Sequence, residues 1–252
     1  MIRREPASSA VTVLRLAHGP VSALDLELLE ALRKEVADLA AEEVALVLTG
    51  TGRTFSAGVD LFRMLEGGES YTHRYLPALT GVFDELFRYP RPVVAAVNGH
   101  AIAGGCVLAC TGDYRMMAVG RGRIGVPELL VGVPFPAVGL EIVRFATADR
   151  GIQSLLYTGS TLLPAEAKEQ GFVDEVVPAG ELLERAVARA EQMAAIPPAT
   201  FWHTKWSLRG PVLRRAEQNG RQLDAEMRHI WASSETAGAI SDYVQKTLAS
   251  GR

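Results

Sequence analysis

The chain has 252 residues, 48% of them hydrophobic and 22% charged, the composition of a soluble globular protein large enough to bury a sizeable core. A formal net charge of −3 leaves no electrostatic footprint for nucleic acid or an anionic membrane. The two arginines near the N-terminus precede no apolar leader, and no run approaches the roughly 18–20 apolar residues of a membrane span, so a cytoplasmic protein with no membrane and no nucleic-acid partner is expected.

In chain order, Val11–Leu16 alternates as a strand, and His18-Gly19-Pro20 breaks it ahead of Asp25, a candidate N-cap. Leu29, Leu32, Val36 and Leu39 then form one apolar stripe at helical spacing. Residues 44–49 are a continuous aliphatic run, the pattern of a buried strand, ending in Gly50-Thr51-Gly52. Residues 71–89 read as a long helix stopped by Pro90 and Pro92, followed by a short buried strand over 93–98. A glycine-rich turn, a small-residue helix to Ala109, a strand over Tyr114–Ala118 and a glycine-dense loop over 120–132 continue the alternation. Helices over 164–170, 181–195 and 198–208 and through Trp231 then dominate, with a short strand near 173–177. Ile196-Pro197-Pro198 is a natural joint, so a core over 1–195 and a helical C-terminal region over 196–252 are expected. Trp202, Trp206 and Trp231 fall in that region, and either pack on its own core or form a subunit interface.

Several motifs lack their chemistry. Gly120-Arg121-Gly122-Arg123-Ile124-Gly125 has GxGxxG spacing, but Pro127 follows and no amphipathic helix opens to receive a pyrophosphate. Ser56 is no nucleophile elbow, because Thr54 stands where glycine is required. Cys106 and Cys110 are too few for a disulfide framework and are expected as buried thiols; His18, His73, His100, His203 and His229 show no ligand spacing, so no metal is expected.

Two segments remain: Thr54-Phe55-Ser56-Ala57-Gly58-Val59-Asp60-Leu61 and Asn98-Gly99-His100-Ala101-Ile102-Ala103-Gly104-Gly105-Cys106. Each follows a buried strand and carries small residues that let backbone approach a ligand. A turn entering a helix presents unpaired N–H groups, so two such turns brought together offer two donors to one oxygen.

With Ile124-Gly125-Val126-Pro127-Glu128-Leu129-Leu130-Val131-Gly132 and the later Leu162-Leu163-Pro164-Ala165-Glu166-Ala167 and Gly171-Phe172-Val173-Asp174, these segments resemble the enoyl-CoA hydratase/isomerase (crotonase) superfamily over roughly residues 10–250. The resemblance implies an α/β crotonase fold, a spiral of β-β-α turns with a helical C-terminal region used in trimer formation, and a homotrimer or dimer of trimers. It implies an acyl-CoA thioester substrate, coenzyme A being part of the substrate and no separate cofactor being needed. The backbone N–H groups of Val59 and Gly104 would form the oxyanion hole, and Ser56, Ala57, Gly58, Asp60 and Leu61 would line the substrate path. Asp60 has the further role of capping the following helix.

Hydratases of the family use two glutamates; here Val107 stands at the first position and Glu128 matches the second. One carboxylate suffices to take a proton from one carbon and return it two atoms away, so Δ3,Δ2-isomerisation is expected, with hydration or a catalytically weak acyl-CoA-binding scaffold as alternatives. Glu141 is a second candidate acid or a helix-face carboxylate. His100 is expected as a satisfied structural histidine, His73 and Tyr75 belong to the acyl pocket or the surface, and Lys205 and Arg209 are candidate phosphate contacts.

Overall fold

A computed structural model of the chain describes residues 1–149 and 151–248. Strands β1 (Ile2–Pro6) and β2 (Val11–Leu16) pair antiparallel, and β3 (Ala23–Leu24) leads into α1 (Leu26–Ala41). Three β-β-α turns follow. The first is β4 (Ala45–Thr49), β5 (Thr54–Ser56), a short β6 (Gly58–Val59) and α2 (Leu61–Phe87). The second is β7 (Val93–Val97), β8 (His100–Ile102) and α3 (Gly104–Cys110); the third is β9 (Tyr114–Ala118), β10 (Ile124–Gly125) and α4 (Glu128–Val131). Then come α5 (Ala137–Thr147), α6 (Ile152–Thr158), β11 (Thr161–Leu162), α7 (Pro164–Glu169), β12 (Glu175–Val177) and α8 (Leu182–Ala194). Two further helices, α9 (Pro198–Ala232) and α10 (Ser234–Tyr243), and a last helical turn over Val244–Leu248 end the described chain.

The first strand of each turn joins one six-stranded sheet, ordered β1-β2-β4-β7-β9-β12 and parallel from β2 onward. The second strands stack in another, ordered β11-β10-β8-β5. This is the spiral expected of a crotonase fold. Strands β4 and β7 are buried along their whole length because both sheet faces are covered. Ala45 and Val47 face Leu182, Ala186 and Ala190 of α8, while Leu46 and Leu48 face the main core with α1 and α2. The period-2 alternation of a strand thus divides one aliphatic run between two cores.

Two helices depart from the sequence expectation. The long helix starts at Leu61, not near 71, because Asp60 caps it by accepting the Phe62 and Arg63 N–H groups at 3.0 Å each. It breaks at Gly68 (φ 54°, ψ −149°), a conformation open to glycine and strained for any other residue. Where separate helices over 198–208 and through Trp231 were expected, one 35-residue α9 runs unbroken, and it and the short α10 pack against the core. Val212, Leu213, Met227 and Trp231 enter the main core, and the Trp231 indole N–H donates to Pro134 O at 2.9 Å. Trp202 and Trp206 instead stack on each other, centroids 5.4 Å apart, with the Arg88 guanidinium over Trp206. Among the described residues no helix is long and apolar enough to cross a membrane.

Candidate active site

Because the three β-β-α turns stack on one another, the passages that lead into their helices border one cleft: Val59-Asp60, Ala103-Gly104 and Pro127-Glu128. The β8 and β10 strands hold two of them together through the Ala101 N–H to Arg123 O and Ala103 N–H to Gly125 O bonds, both 2.8 Å. The first is pressed directly on the second. A Cβ on Gly58 (φ 80°) would lie 2.4 Å from Ile102 O, 2.8 Å from Ala103 Cβ and 3.1 Å from Gly104 N, so only glycine allows this approach.

The backbone at that junction presents donors. Asp60 N–H donates to Leu24 O on β3 at 3.1 Å. Successive groups on an extended strand point to opposite edges, so the Val59 N–H points away from β3. Gly104 is the first residue of α3, whose leading N–H groups have no intrahelical acceptor. The preceding Ala103 holds φ 53°, ψ −126°, a strained conformation for an L-residue and the kind of outlier that concentrates at functional sites.

These turns border a cleft of about 910 Å³. Ala57, Val59, Asp60 and Leu61 line it from the first turn, Ile102 and Ala103 from the second, and Pro127 and Glu128 from the third. Ser56 and Gly58 sit behind the wall: Ser56 is fully buried, its hydroxyl donating to Ser22 O at 2.8 Å and accepting the Gly58 N–H. Gly104 is likewise one residue behind the lining Ala103. Residues that no sequence motif placed there also line the cleft: Trp231, Tyr243 and Thr247 from the C-terminal helices, and His18, paired with Asp25 at 2.6 Å.

Glu128 opens the four-residue α4 and faces the cleft with only 7% of its surface exposed. Its Oε2 has no hydrogen-bond partner among the described residues. Burial lifts its pKa to about 8, because the charged form loses hydration and gains no cation in return. A carboxyl poised near neutrality in an apolar pocket is suited to accepting and returning a proton. The cleft's other carboxylate from these turns, Asp60, is occupied as a helix cap.

The remaining candidates lie elsewhere. Glu141 is 1% exposed, but its carboxylate accepts from Arg144, Arg215 and Asn219 at 3.0, 3.0 and 3.3 Å, outside the cleft. Lys205 and Arg209 are buried against Asp113 beside a separate cavity of about 370 Å³, which removes them as phosphate contacts in the cleft. His100 lines the cleft and its Nδ1 accepts the Arg123 N–H at 3.3 Å, whereas His73 is exposed beside Glu69. Tyr75 is fully buried. Val107 belongs to the main core, and Cys106 and Cys110 are buried free thiols. No group of three or more His, Cys, Asp or Glu side chains suited to a metal occurs among the described residues.

The profile of the family described as Enoyl-CoA hydratase/isomerase matches residues 6–248. The chain belongs to this family. Among enoyl-CoA hydratase/isomerase relatives, the "Putative enoyl-CoA hydratase" of Thermus thermophilus is 39% identical over 183 residues, 71% of each chain. The human "Enoyl-CoA delta isomerase 1, mitochondrial" is 30% identical over 247 residues, 96% of this chain and 79% of the relative. The crystal structure of human mitochondrial delta3-delta2-enoyl-CoA isomerase superimposes with a TM-score of 0.91 at 28% identity, covering 99% of this chain and 98% of the other. The crotonase architecture is thus common to the family's solved structures and this chain, while hydratase and isomerase names both occur among the relatives.

Proposed function

We propose that this member of the enoyl-CoA hydratase/isomerase family is a Δ3,Δ2-enoyl-CoA isomerase. The observation that carries the reading is Glu128, a buried carboxylate whose Oε2 has no partner among the described residues, at a cleft whose other two turns present backbone donors. The thioester oxygen accepts from the Val59 and Gly104 N–H groups. Glu128 removes a proton from C2 of the 3-enoyl thioester. The electrons of that C–H bond form a C1–C2 double bond as the carbonyl π pair moves onto the thioester oxygen, giving a dienolate with the C3–C4 double bond still in place, which the fixed donors stabilise without reorganising. Glu128 then delivers the same proton to C4, leaving a 2-enoyl thioester with no net gain or loss of atoms or electrons. The apolar side chains of Leu61, Leu130 and Val133 keep water from the dienolate. Coenzyme A enters as part of the substrate, no further cofactor is used, and the chain assembles as a homotrimer or dimer of trimers, a state that light scattering measures.

Hydration is the second reading, favoured by the name of the Thermus thermophilus relative. Against it stands Val107, a core side chain where a second carboxylate would be needed to deliver a proton beside an attacking water.

The test is ultraviolet detection of conjugated 2-enoyl-CoA from 3-hexenoyl-CoA, with crotonyl-CoA hydration measured in parallel. The expected result is conjugation by the native protein and its loss in Glu128→Gln by a factor of about 10²–10⁴, the usual contribution of a general base. Faster hydration than conjugation would replace isomerisation by the second reading. Turnover of neither substrate, with acyl-CoA still bound, would make the protein a binding scaffold.

A further inference from the structure

The second cavity, of about 370 Å³, lies among α3, β9, α5, α8 and α9, and shares no lining residue with the cleft. Its wall combines the apolar side chains of Phe145, Met193, Phe201 and Leu208 with three buried cations, Arg115, Lys205 and Arg209, and one carboxylate, Asp113. Thr204 and Leu208 are both on that wall and exposed, so the cavity reaches the surface beside them.

The charges of this wall do not balance. Arg115 is matched outside it, its Nε and Nη2 donating to the two oxygens of Asp174 at 3.0 and 2.9 Å. Asp113 is left to serve both Lys205 and Arg209, at 2.7 and 2.8 Å. Among the described residues, two buried positive charges therefore share one negative charge. Burial lowers the Lys205 pKa to about 8 and lowers that of Arg209 as well, and in both cases Asp113 opposes the shift without cancelling it. At pH 7 Lys205 is still mostly charged.

Donors are in excess too. The Lys205 ammonium has three N–H groups and two described acceptors, Asp113 Oδ2 and, at 3.2 Å, Arg91 O. Arg91 adds a further cation next to Lys205. Its Nη2 donates to Ala194 O at 3.3 Å, and its buried Nε has no partner among the described residues. Buried charge without a counter-ion is costly, and a bound anion offsets that cost.

We propose that this cavity is a binding site for a small organic carboxylate, whose charged end meets Lys205 and Arg209 and whose hydrocarbon lies against Phe145, Met193, Phe201 and Leu208. The volume falls in the range of about 300–1,000 Å³ usual for small-molecule sites, which pair an apolar lining with a few convergent polar groups. Inorganic phosphate would leave the apolar side of the wall unused, and a neutral hydrocarbon would leave the charge unmatched. Because the walls share no residue with the cleft, the site stands whether or not Glu128 shuttles a proton.

The probe is hexanoate, titrated calorimetrically into the full chain at pH 7, with 1-hexanol and inorganic phosphate as comparisons. Saturable binding with a Kd on the order of 1 mM is expected for a ligand of this size. Lys205→Met leaves Asp113 paired with Arg209 and the site neutral, and should weaken binding about tenfold or more. Thr204→Trp blocks the opening while keeping every charge, and should abolish binding. Thr204 is exposed, so this variant should melt within about 2 °C of the native protein. A second readout uses native protein with ¹³C-labelled lysine, the Lys205 signal being identified by its absence from Lys205→Met. Its midpoint should lie near pH 8 alone and about one unit higher with hexanoate bound, because the anion favours the charged ammonium. The charged and titratable groups around that ammonium are Asp113, Arg91, Arg115, Arg209 and the Cys110 thiol.

Absence of saturable hexanoate binding would overturn the proposal. Hexanol binding as tightly as hexanoate would do the same, by showing an apolar pocket indifferent to charge, and so would phosphate binding more tightly than hexanoate. Undiminished binding by Thr204→Trp, or an unmoved Lys205 midpoint in the native protein, would place the ligand elsewhere and reject the site.

Discussion

Glu128 and Glu141 stand on either side of the Val133-Pro134-Phe135-Pro136 loop, and both are buried. Glu141 is surrounded by Arg144, Arg215 and Asn219 and fastens α5 to α9. Asp113 does similar work between β7 and α9, accepting the Val93 N–H at 2.8 Å and pairing with Lys205 and Arg209 at 2.7 and 2.8 Å. Glu128 has the burial, but its Oε2 finds no partner among the described residues. Burial alone therefore does not distinguish a site from a joint; the partners do. A carboxylate whose acceptor capacity is used holds helices together, and one whose capacity is unspent has a pKa raised into the working range.

The largest effect that would break this comparison lies at Glu128. Its pKa rises from 4.5 to about 8 on folding, so the native state holds this proton more tightly than the unfolded chain does. The associated stability is fully present below about pH 4.5 and is lost as pH rises toward about 8, by up to about 5 kcal/mol. Glu128→Gln removes that dependence. Relative to the native protein, its melting temperature should gain between about pH 5 and about pH 9; a constant difference across that range would mean a solvated carboxylate. The native rate should show the complementary sign, kcat/KM rising with pH through a midpoint near 8 as the base ionises.

A smaller but still severe effect is expected at Asp113. Burial lowers the Lys205 pKa to about 8, with Arg209 adding to the shift and Asp113 opposing it. Asp113→Ala leaves both cations buried without their counter-ion and should cost about 3–5 kcal/mol in urea unfolding. A loss below about 1 kcal/mol would show that water already reaches the cluster.

The mildest change sharpens the contrast. Glu141→Gln keeps the shape and some hydrogen bonds while removing the charge, and should destabilise by about 1–3 kcal/mol. Turnover should stay within about twofold of native once the protein is folded. A selective collapse of kcat would move Glu141 from joint to active site.

Much of this molecule is local and was readable as such. The aliphatic runs at 44–49 and 93–98 mark strands covered on both faces, the 3-4-3 stripe of α1 marks its buried side, and Asp25 and Asp60 cap the helices that follow them. Period and capping depend on neighbours a few residues away, which the sequence itself supplies. The candidate acid, Glu128, was also legible, through the Pro-Glu segment and the absence of a glutamate at Val107. Strand β1 was not, because Ile2–Pro6 carries charged residues and is held by pairing with β2. Nor could sequence tell the unpartnered Glu128 from the triply bonded Glu141, or place Trp231 and Tyr243 on the cleft beside residues from the opposite end of the chain. Those facts concern which distant groups come near, and which do not. The repeated β-β-α turn decides them by bringing the passages at Val59, Gly104 and Glu128 to one cleft, and the raised pKa of Glu128 is the physical consequence of its burial there.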